Sequence, residues 1–334
     1  MTQLALKNLS KSYGAFKVLD GLNLEAEAGE IIVVFGGSGT GKTILLRMIA
    51  GVELPTGGSI ELDGHDVEDI APEHRNVGMA FQNFALFPHM SASENIGTAL
   101  VARNASAEAI QASINRVAKL LKIDHVLGHA PRELSNGQKQ RTSLARALAA
   151  EPKILLLDDP LRNVDAKLRF EMRLELPRLL RHSGATVLYV TQDYKEAMAL
   201  GDRIAVLQGG KFVQLATPEE IYNKPTTLEV AKLFGDPVIN TFERTQNGKP
   251  VIMAVRPDAV VLGAKKNVIA ATVMAITPLN ERIVLLLQSD NGQEFLASLP
   301  STAPTPKSGS TVQACFDAVG THYFDKETGL RIDG

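Results

Sequence analysis

The stretch Gly36-Gly37-Ser38-Gly39-Thr40-Gly41-Lys42-Thr43 fits the pattern G-x-x-x-x-G-K-[ST]. It follows an apolar run, Ile31–Phe35, and opens an amphipathic segment that extends to Ala50. Glycines let the backbone curl so that several N–H groups point at phosphate oxygens, and the start of the helix adds the positive end of its dipole. Lys42 supplies a mobile positive charge to the β- and γ-phosphates, and the Thr43 hydroxyl is a hard oxygen ligand suited to Mg²⁺. A chance glycine-rich turn is disfavoured because the strand and helix context is also present, so the stretch predicts a phosphate-binding loop.

An acidic pair, Asp158 and Asp159, follows a second apolar run, Ile154–Leu157. A buried strand delivers Asp158 to the carboxyl edge of a sheet, where it can hold a magnesium ion through water. The alternative is an aspartate that ends a strand and caps the next turn. Its pairing with the phosphate-binding loop favours the metal site.

Further apolar runs, Thr186–Val190 and Arg203–Leu207, are typical of buried strands and lie near helical sequence. Alternation of this kind predicts an α/β fold with a mostly parallel sheet. Residues 91–150 lack a convincing strand and carry apolar residues at helical spacing, which predicts a helical insertion. Gln208-Gly209-Gly210-Lys211 predicts a hairpin turn after the last of these strands.

The pattern changes after about Gly235, where short strand-like runs are separated by proline and glycine and no long helix is evident. This pattern predicts two domains, residues 1–235 and residues 236–334, the second a small β-rich, barrel-like domain. The runs that predict its strands are Val251–Val255, Val268–Ile276, Ile283–Gln288, Phe295–Ser298 and Thr311–Phe316.

Composition excludes several classes of protein. The chain has 334 residues and a formal net charge of −2, so no global positive field would draw it to nucleic acid or anionic lipid. A single cysteine, Cys315, excludes an internal disulfide framework and suits a reducing compartment. No apolar run approaches the roughly 18 to 20 residues that span a bilayer, and the N-terminus lacks the apolar core of a signal peptide. We therefore expect a soluble, cytosolic protein.

A further set of motifs resembles those of ABC-type ATPases. Leu134-Ser135-Asn136-Gly137-Gln138, upstream of the Asp158 strand, resembles the signature motif of that family. Gln82 matches its Q-loop, Asp165 matches its D-loop, and Tyr13 stands where the family places an aromatic ring that stacks on adenine. The resemblance covers nearly the whole chain, and four segments are similar to the carbohydrate-importing branch: 77–96, 190–204, 255–258 and 322–325.

The resemblance implies a P-loop NTPase core with a helical signature subdomain and a C-terminal OB-like regulatory domain. It implies ATP and Mg²⁺ as cofactors, with Thr43, Gln82 and Asp158 at the metal. It also implies a head-to-tail pair, in which Ser135, Gly137 and Gln138 contact the γ-phosphate held by the partner. The nucleotide-binding residues would then be Tyr13, Gly36, Gly37, Ser38, Gly39, Thr40, Gly41, Lys42, Thr43, Ser135, Gly137, Gln138 and Asp165.

The partners implied are transmembrane permease subunits, a second ATPase subunit and, indirectly, a periplasmic or extracellular solute-binding protein, with no nucleic acid. The implied location is the cytoplasmic face of the inner membrane, as a peripheral subunit. The surface near Gln82 and Phe84–Pro88 would couple to the permease. The alternative for Phe84, Leu86 and Phe87 is simple core packing.

Three departures from the family pattern affect hydrolysis. Asp159 replaces the glutamate that acts on the attacking water, Gln192 replaces the switch histidine, and Asn136 replaces the first signature glycine. Asp159, Gln192 and Gln82 are therefore the candidate catalytic residues. One interpretation is neutral drift with slower turnover; the other is specialisation, in which this chain completes the competent site of a different ATPase.

The sequence favours an ATP-hydrolysing subunit that drives import of a sugar, a polyol or a related solute. The alternative is a nucleotide-binding regulatory or scaffold subunit with little hydrolysis of its own. An ABC-type ATPase of DNA repair or translation is disfavoured because the chain has no basic stripe. The C-terminal domain is either purely structural or a regulator-binding domain.

Overall fold

The computed structural model describes residues 2–246, 248–263 and 268–332. The chain forms two compact units, Met1–Pro218 and Glu219–Gly334. The second unit thus takes in residues that the sequence assigns to the first domain. Ala231 explains part of this division, because it packs in one apolar cluster with Ile239, Ala254 and Phe324. The domain limits at 235/236 stay a prediction.

The first unit contains both strands and helices. In the described residues their order is β1 (Thr2–Tyr13), β2 (Phe16–Glu27), β3 (Ile31–Phe35), α1 (Lys42–Ile49), β4 (Gly57–Leu62), β5 (His65–Asp66), β6 (Val77–Ala80), α2 (Ala92–Ala102), α3 (Ala107–Leu120), α4 (Asn136–Ala149), β7 (Ile154–Asp158), α5 (Ala166–Ser183), β8 (Thr186–Thr191), α6 (Tyr194–Leu200), β9 (Arg203–Gln208) and β10 (Lys211–Ala216).

The central sheet has the strand order β10-β9-β3-β8-β7-β6. Strands β9, β3, β8, β7 and β6 are parallel, and β10 pairs antiparallel with β9. Every residue of β3, β7 and β8 is buried, as expected for parallel strands covered on both faces. The mostly parallel α/β sheet predicted from the sequence is confirmed.

A second sheet of the first unit, antiparallel with the order β2-β1-β4-β5, was not predicted. Its two long strands carry many polar residues, and several register shifts interrupt their pairing. Each shift breaks the alternation of buried and exposed residues that makes a strand visible in a sequence.

The helical insertion predicted for residues 91–150 is observed as α2, α3 and α4. Ile114, Val117 and Leu121 form its buried stripe, as their helical spacing indicates. The predicted hairpin is also observed between β9 and β10. Gly209 and Gly210 adopt φ of 55° and 77° there, which only glycine tolerates readily at two successive positions.

The second unit begins with two short helices and continues as strands. In the described residues these are α7 (Pro218–Asn223), α8 (Leu228–Leu233), β11 (Asn240–Gln246), β12 (Lys249–Val255), β13 (Val260–Leu262), β14 (Ile269–Pro278), β15 (Arg282–Ser289), β16 (Glu294–Pro300), β17 (Thr311–Phe316), β18 (Thr321–Asp325) and β19 (Arg331–Ile332).

The strands of this unit form two sheets, with orders β11-β12-β18-β19 and β13-β17-β14-β15-β16. The two end strands of the five-stranded sheet, β13 and β16, contact each other, so that sheet curls into a nearly closed barrel. The Asn240 side chain bridges the two sheets, since its amide donates to Leu296 O (2.8 Å) and accepts from Leu296 N (2.7 Å). The barrel-like character predicted for the C-terminal domain is confirmed.

None of the helices in the described ranges is both long and apolar enough to cross a membrane.

Candidate nucleotide site

The glycine-rich loop joins the end of β3 to the start of α1. Gly41 caps α1 with a φ of 97°, and Gly39 has a φ of 78°, both in the left-handed region that favours glycine. A Cβ on Gly36 would lie 2.6 Å from the Leu207 carbonyl oxygen, so the backbone of β9 leaves no space for a side chain there. The first turn of α1 carries no acidic residue, which leaves the positive end of the helix dipole unopposed.

Lys42 holds this loop through its ammonium group. Its Nζ donates to Gly36 O (2.8 Å) and to Gly37 O (2.6 Å), and the side chain is buried. Burial lowers the pKa of Lys42, and the charges of Asp159 and Asp158 oppose that shift. The loop therefore holds one ammonium group against two of its own carbonyls, where an anionic phosphate would compete for it.

Thr43 and Asp158 meet beside the loop. The Thr43 hydroxyl donates to Asp158 Oδ1 at 3.1 Å, and burial raises the pKa of Asp158. Across residues 2–246, 248–263 and 268–332, no group of three or more His, Cys, Asp or Glu side chains could hold a metal ion. Magnesium nevertheless fits the Thr43–Asp158 pair, because it binds hard oxygens, keeps several waters and takes one or two carboxylates together with substrate phosphates.

Asp159 lies next to that pair, also buried, with a φ of 45°. Its amide donates to Val190 O at 2.9 Å, and its carboxylate lies 3.8 Å from Arg162 Nη1. Burial raises the pKa of Asp159, and the charges of Arg162 and Lys42 partly offset this. The carboxyl group therefore lies beside the Arg162 guanidinium and is also stabilised by the charge of Lys42.

Parallel pairing brings the phosphate loop, the acidic pair, Gln192 and Gln82 to the same edge of the central sheet. Residues at the ends of neighbouring strands pair directly, Phe35 with Thr191 and Asp158 with Val190, and β6 ends beside β7. Gln192 follows β8 and is exposed, and Gln82 lies just beyond β6. This is the edge at which ligands bind in open α/β sheets.

The Q-loop and D-loop candidates are joined to each other. The Asn163 side chain donates to Gln82 O at 2.7 Å. Two residues further on, Asp165 caps α5 by accepting from Leu168 N at 3.0 Å.

The signature residues lie at the start of α4 and contact each other. Ser135 caps α4 in a reciprocal capping box: its Oγ accepts from Gln138 N, and Gln138 Oε1 accepts from Ser135 N. A Cβ on Gly137 would lie 2.4 Å from Leu168 Cδ2, so this glycine packs closely on α5. These contacts join the signature segment to α5, whereas Lys42, Thr43, Asp158 and Asp159 meet at the sheet edge.

Tyr13 ends β1 with its side chain half exposed. Its hydroxyl donates to Glu53, and Lys11 Nζ lies 5.0 Å from the centre of its ring. Lys11 and Glu53 also form an ion pair of 3.1 Å. The contact with Glu53 could not be predicted from the sequence, because Glu53 is far from β1 along the chain and joins it only in the folded structure.

Glu196 of α6 is a second group that sequence reasoning missed. It is 1% exposed, and its Oε2 accepts hydrogen bonds from the Tyr189 hydroxyl (2.8 Å) and the Thr191 hydroxyl (2.9 Å). Burial raises its pKa to about 7. A glutamate within a short amphipathic helix normally faces solvent, so the sequence contains no signal for this burial.

An open groove lies beside the Q-loop candidate. It has a volume of about 530 Å³, and Met79, Phe81, Phe87 and Arg146 are among its lining residues. Phe87 is 43% exposed, so core packing does not account for it, whereas Phe84 and Leu86 are half-buried. The groove therefore presents aromatic surface together with a basic side chain.

Comparison with known proteins identifies two family models along the chain and several similar relatives. The family model for the ABC transporter matches residues 19–162, and the model for the TOBE domain matches residues 253–324. The sn-glycerol-3-phosphate import ATP-binding protein UgpC 1 of Rhizobium johnstonii is 39% identical, over 100% of this chain and 97% of its own. The sulfoquinovosyl glycerol transport ATP-binding protein SmoE of Agrobacterium fabrum is 35% identical, over 99% and 100%.

A solved structure is similar in fold to part of the chain. It is the dimeric, post-hydrolysis state of the ATP-binding cassette MJ0796 bound to ADP and Pi, with a TM-score of 0.58 and 30% identity. The match covers 64% of this chain and 98% of that one. The chain belongs to the ABC transporter family and has its P-loop ATPase fold with a C-terminal TOBE domain. Within that family it is the ATP-binding subunit of an importer, a transport ATPase that drives solute uptake.

Proposed function

We propose that the chain binds ATP with Mg²⁺ on the loop Gly36–Thr43, with Thr43, Gln82 and Asp158 at the metal. Bound magnesium would neutralise phosphate charge. Lys42 binds the β- and γ-phosphates, Tyr13 stacks on the adenine, and Asp159 and Gln192 act on the attacking water and the γ-phosphate. The observation that carries this proposal is Lys42 Nζ bound to Gly36 O and Gly37 O beside the Thr43–Asp158 hydrogen bond.

We infer that the solute is a sugar, a polyol or a related compound. In support, the similar UgpC proteins are named for sn-glycerol-3-phosphate and SmoE for sulfoquinovosyl glycerol, both glycerol derivatives. The chain works at the cytoplasmic face of the membrane on permease subunits, which receive solute from a solute-binding protein. The groove beside Phe87 is the surface offered to the permease.

We also infer that the chain pairs with a second ATPase, so that Ser135, Gly137, Gln138 and Asp165 complete the partner's site. Asp159 is one methylene shorter than the glutamate expected there, and a misplacement of about 1 Å costs on the order of 100-fold in rate. Gln192 donates a hydrogen bond but carries no positive charge toward the developing phosphate charge. Both changes weaken the site that holds this chain's own nucleotide.

Calorimetric titration with ATP and Mg²⁺ tests the nucleotide site. Lys42→Ala should abolish measurable binding, because it removes the cation that meets the phosphates. Lys153→Ala is the matched control, an exposed lysine of the same unit that pairs with Asp63 at 2.6 Å. Equal ATP affinity in the wild type and Lys42→Ala would rule out the loop as the nucleotide site.

Co-purification from the source membrane tests the partners. We expect permease subunits and a second ATPase, with an intact glutamate and histidine, to accompany this chain. Recovery of permeases with this chain as the sole ATPase would contradict the asymmetric pair.

A further inference from the structure

The end of β8 supports two of the functional loops through its backbone. Val190 O accepts from the amide of Asp159 (2.9 Å), and Thr191 O accepts from the amide of Gly36 (3.3 Å). Gln192 is the next residue along the chain. The phosphate loop and the acidic pair are therefore both hydrogen-bonded to the end of β8, directly before Gln192.

The Thr191 side chain also contacts the residue that follows Gln192. Its Oγ1 accepts from the backbone amide of Asp193 at 3.0 Å and donates to Glu196 Oε2 at 2.9 Å. Gln192 is exposed but lies between two residues that this hydroxyl joins. The turn that carries Gln192 is thus closed by one hydroxyl group.

The hydrogen bond to Glu196 sets the orientation of the Thr191 hydroxyl. A threonine hydroxyl has one proton and two lone pairs, so donation to Glu196 leaves its lone pairs for the Asp193 amide. The same carboxyl oxygen also accepts a hydrogen bond from the Tyr189 hydroxyl, which makes no contact with the turn. Asp193 then caps α6 by accepting from Lys195 N at 2.8 Å.

We propose that Glu196 and Thr191 are positioning residues that hold Gln192 toward the γ-phosphate and so set how strongly the site prefers ATP over ADP. This inference rests on the proposed function, in which Gln192 contacts the γ-phosphate. Neither positioning residue contacts nucleotide in this account, because both act through the backbone of the turn.

The test compares the affinities for ADP and for the non-hydrolysable ATP analogue with a β,γ-imido bridge, measured by calorimetry on the full chain. Thr191→Val keeps the shape of the side chain and removes its hydroxyl. We expect it to weaken binding of the analogue about five- to tenfold, the value of roughly one hydrogen bond, and to leave ADP affinity within about twofold. Thr191→Ser, which restores the hydroxyl, should recover the wild-type ratio.

Tyr189→Phe is the matched control, because it removes the other hydroxyl bound to Glu196 without touching the turn. It should lower the melting temperature about as much as Thr191→Val and leave the ratio of affinities unchanged. An unchanged ratio in Thr191→Val, or no recovery in Thr191→Ser, would overturn the positioning role.

Gln192→Ala separates this inference from the function on which it rests. A loss of preference for the analogue in Gln192→Ala but not in Thr191→Val would reject the positioning role alone. An unchanged preference in Gln192→Ala would instead reject the γ-phosphate contact itself.

Discussion

At the scale of single residues, two adjacent glycines of the phosphate loop have different physical roles. A Cβ on Gly36 would meet Leu207 O at 2.6 Å, whereas the nearest atom to a Cβ on Gly37 is Thr40 Cγ2 at 4.0 Å. The first glycine is therefore required by packing against β9, and the second leaves open space at the exposed surface of the loop.

Gly36→Ala should accordingly destabilise the chain by about 1–3 kcal/mol, because backbone must shift to admit the methyl group. Gly37→Ala should leave the melting temperature within about 1 °C of the wild type. Thermal unfolding followed by circular dichroism distinguishes the two. Similar losses in both variants would show that the close approach of β9 does not limit this loop.

The buried Glu196 leads to a prediction about how the stability of the chain depends on pH. Its pKa is raised by burial from an ordinary value of 4.5 to about 7, so the folded state binds this proton more tightly than the unfolded state. Its contribution to stability is fully present below pH 4.5 and is lost as the pH rises through 7. Asp193 and Asp159 add to the shift by charge repulsion.

Glu196→Gln should therefore gain stability relative to the wild type as the pH rises from 5 to 8, by up to roughly 3 kcal/mol. Urea unfolding at several pH values measures the difference, and Glu171→Gln, on the exposed side of α5, controls for loss of a charge alone. A difference that does not depend on pH would contradict the raised pKa.

Much of the site could be predicted from sequence because its residues lie in local motifs. The loop Gly36–Thr43 follows a fully buried strand, the pair Asp158–Asp159 lies at the end of another, and parallel pairing brings them together. Glu196 and the Lys11–Glu53 pair could not be predicted in this way. Their contacts depend on tertiary packing, which has no periodic signal in the sequence.

At the scale of secondary structure elements, the visibility of a strand depends on how it is buried. The central strands are short runs of apolar residues buried on both faces, which the sequence displays directly. The β1–β2 pair alternates irregularly because of its register shifts, so the antiparallel sheet of the first unit was missed. The hairpin at Gly209 and Gly210 was predicted because its turn requires glycine.

A buried histidine in strand β18 of the second unit leads to a prediction about stability in acid. His322 is 3% exposed, and burial, together with the charges of Arg331 and Arg256, lowers its pKa to about 4. The contribution of neutral His322 to stability is present above pH 6.5 and is lost as the pH falls through 4. The reason is that this ring binds a proton less tightly in the folded state than in the unfolded state.

His322→Phe should therefore lose less stability than the wild type between pH 7 and pH 4. Hydrogen exchange of the β18 amides in the full chain measures this locally, with His125→Phe in the first unit as a control. The quantity compared is the protection of these amides relative to their intrinsic exchange rate. A loss of protection between pH 7 and pH 4 that is as large in His322→Phe as in the wild type would exclude His322 as the cause.

At the scale of the whole molecule, the chain combines a P-loop ATPase unit with a TOBE domain, and its fold and family follow from motifs that the sequence displays. We propose that its activity depends mainly on two substitutions in the nucleotide site, Asp159 and Gln192. The phosphate loop matches its pattern and the signature departs from the family at Asn136, and we propose that Asp159 and Gln192 weaken the chemistry of hydrolysis. A subunit of this kind suits a pair in which the other ATPase turns over.

The rate of ATP hydrolysis by the purified chain, alone and as the double variant Asp159→Glu with Gln192→His, tests this account most directly. We predict a rate well below the 1 s⁻¹ or so at the low end of ordinary enzyme turnover, and an increase on the order of 100-fold in the double variant. Lys42→Ala in the double variant should remove the increase. Turnover faster than about 1 s⁻¹ by the unmodified chain, with no gain in the double variant, would contradict the account.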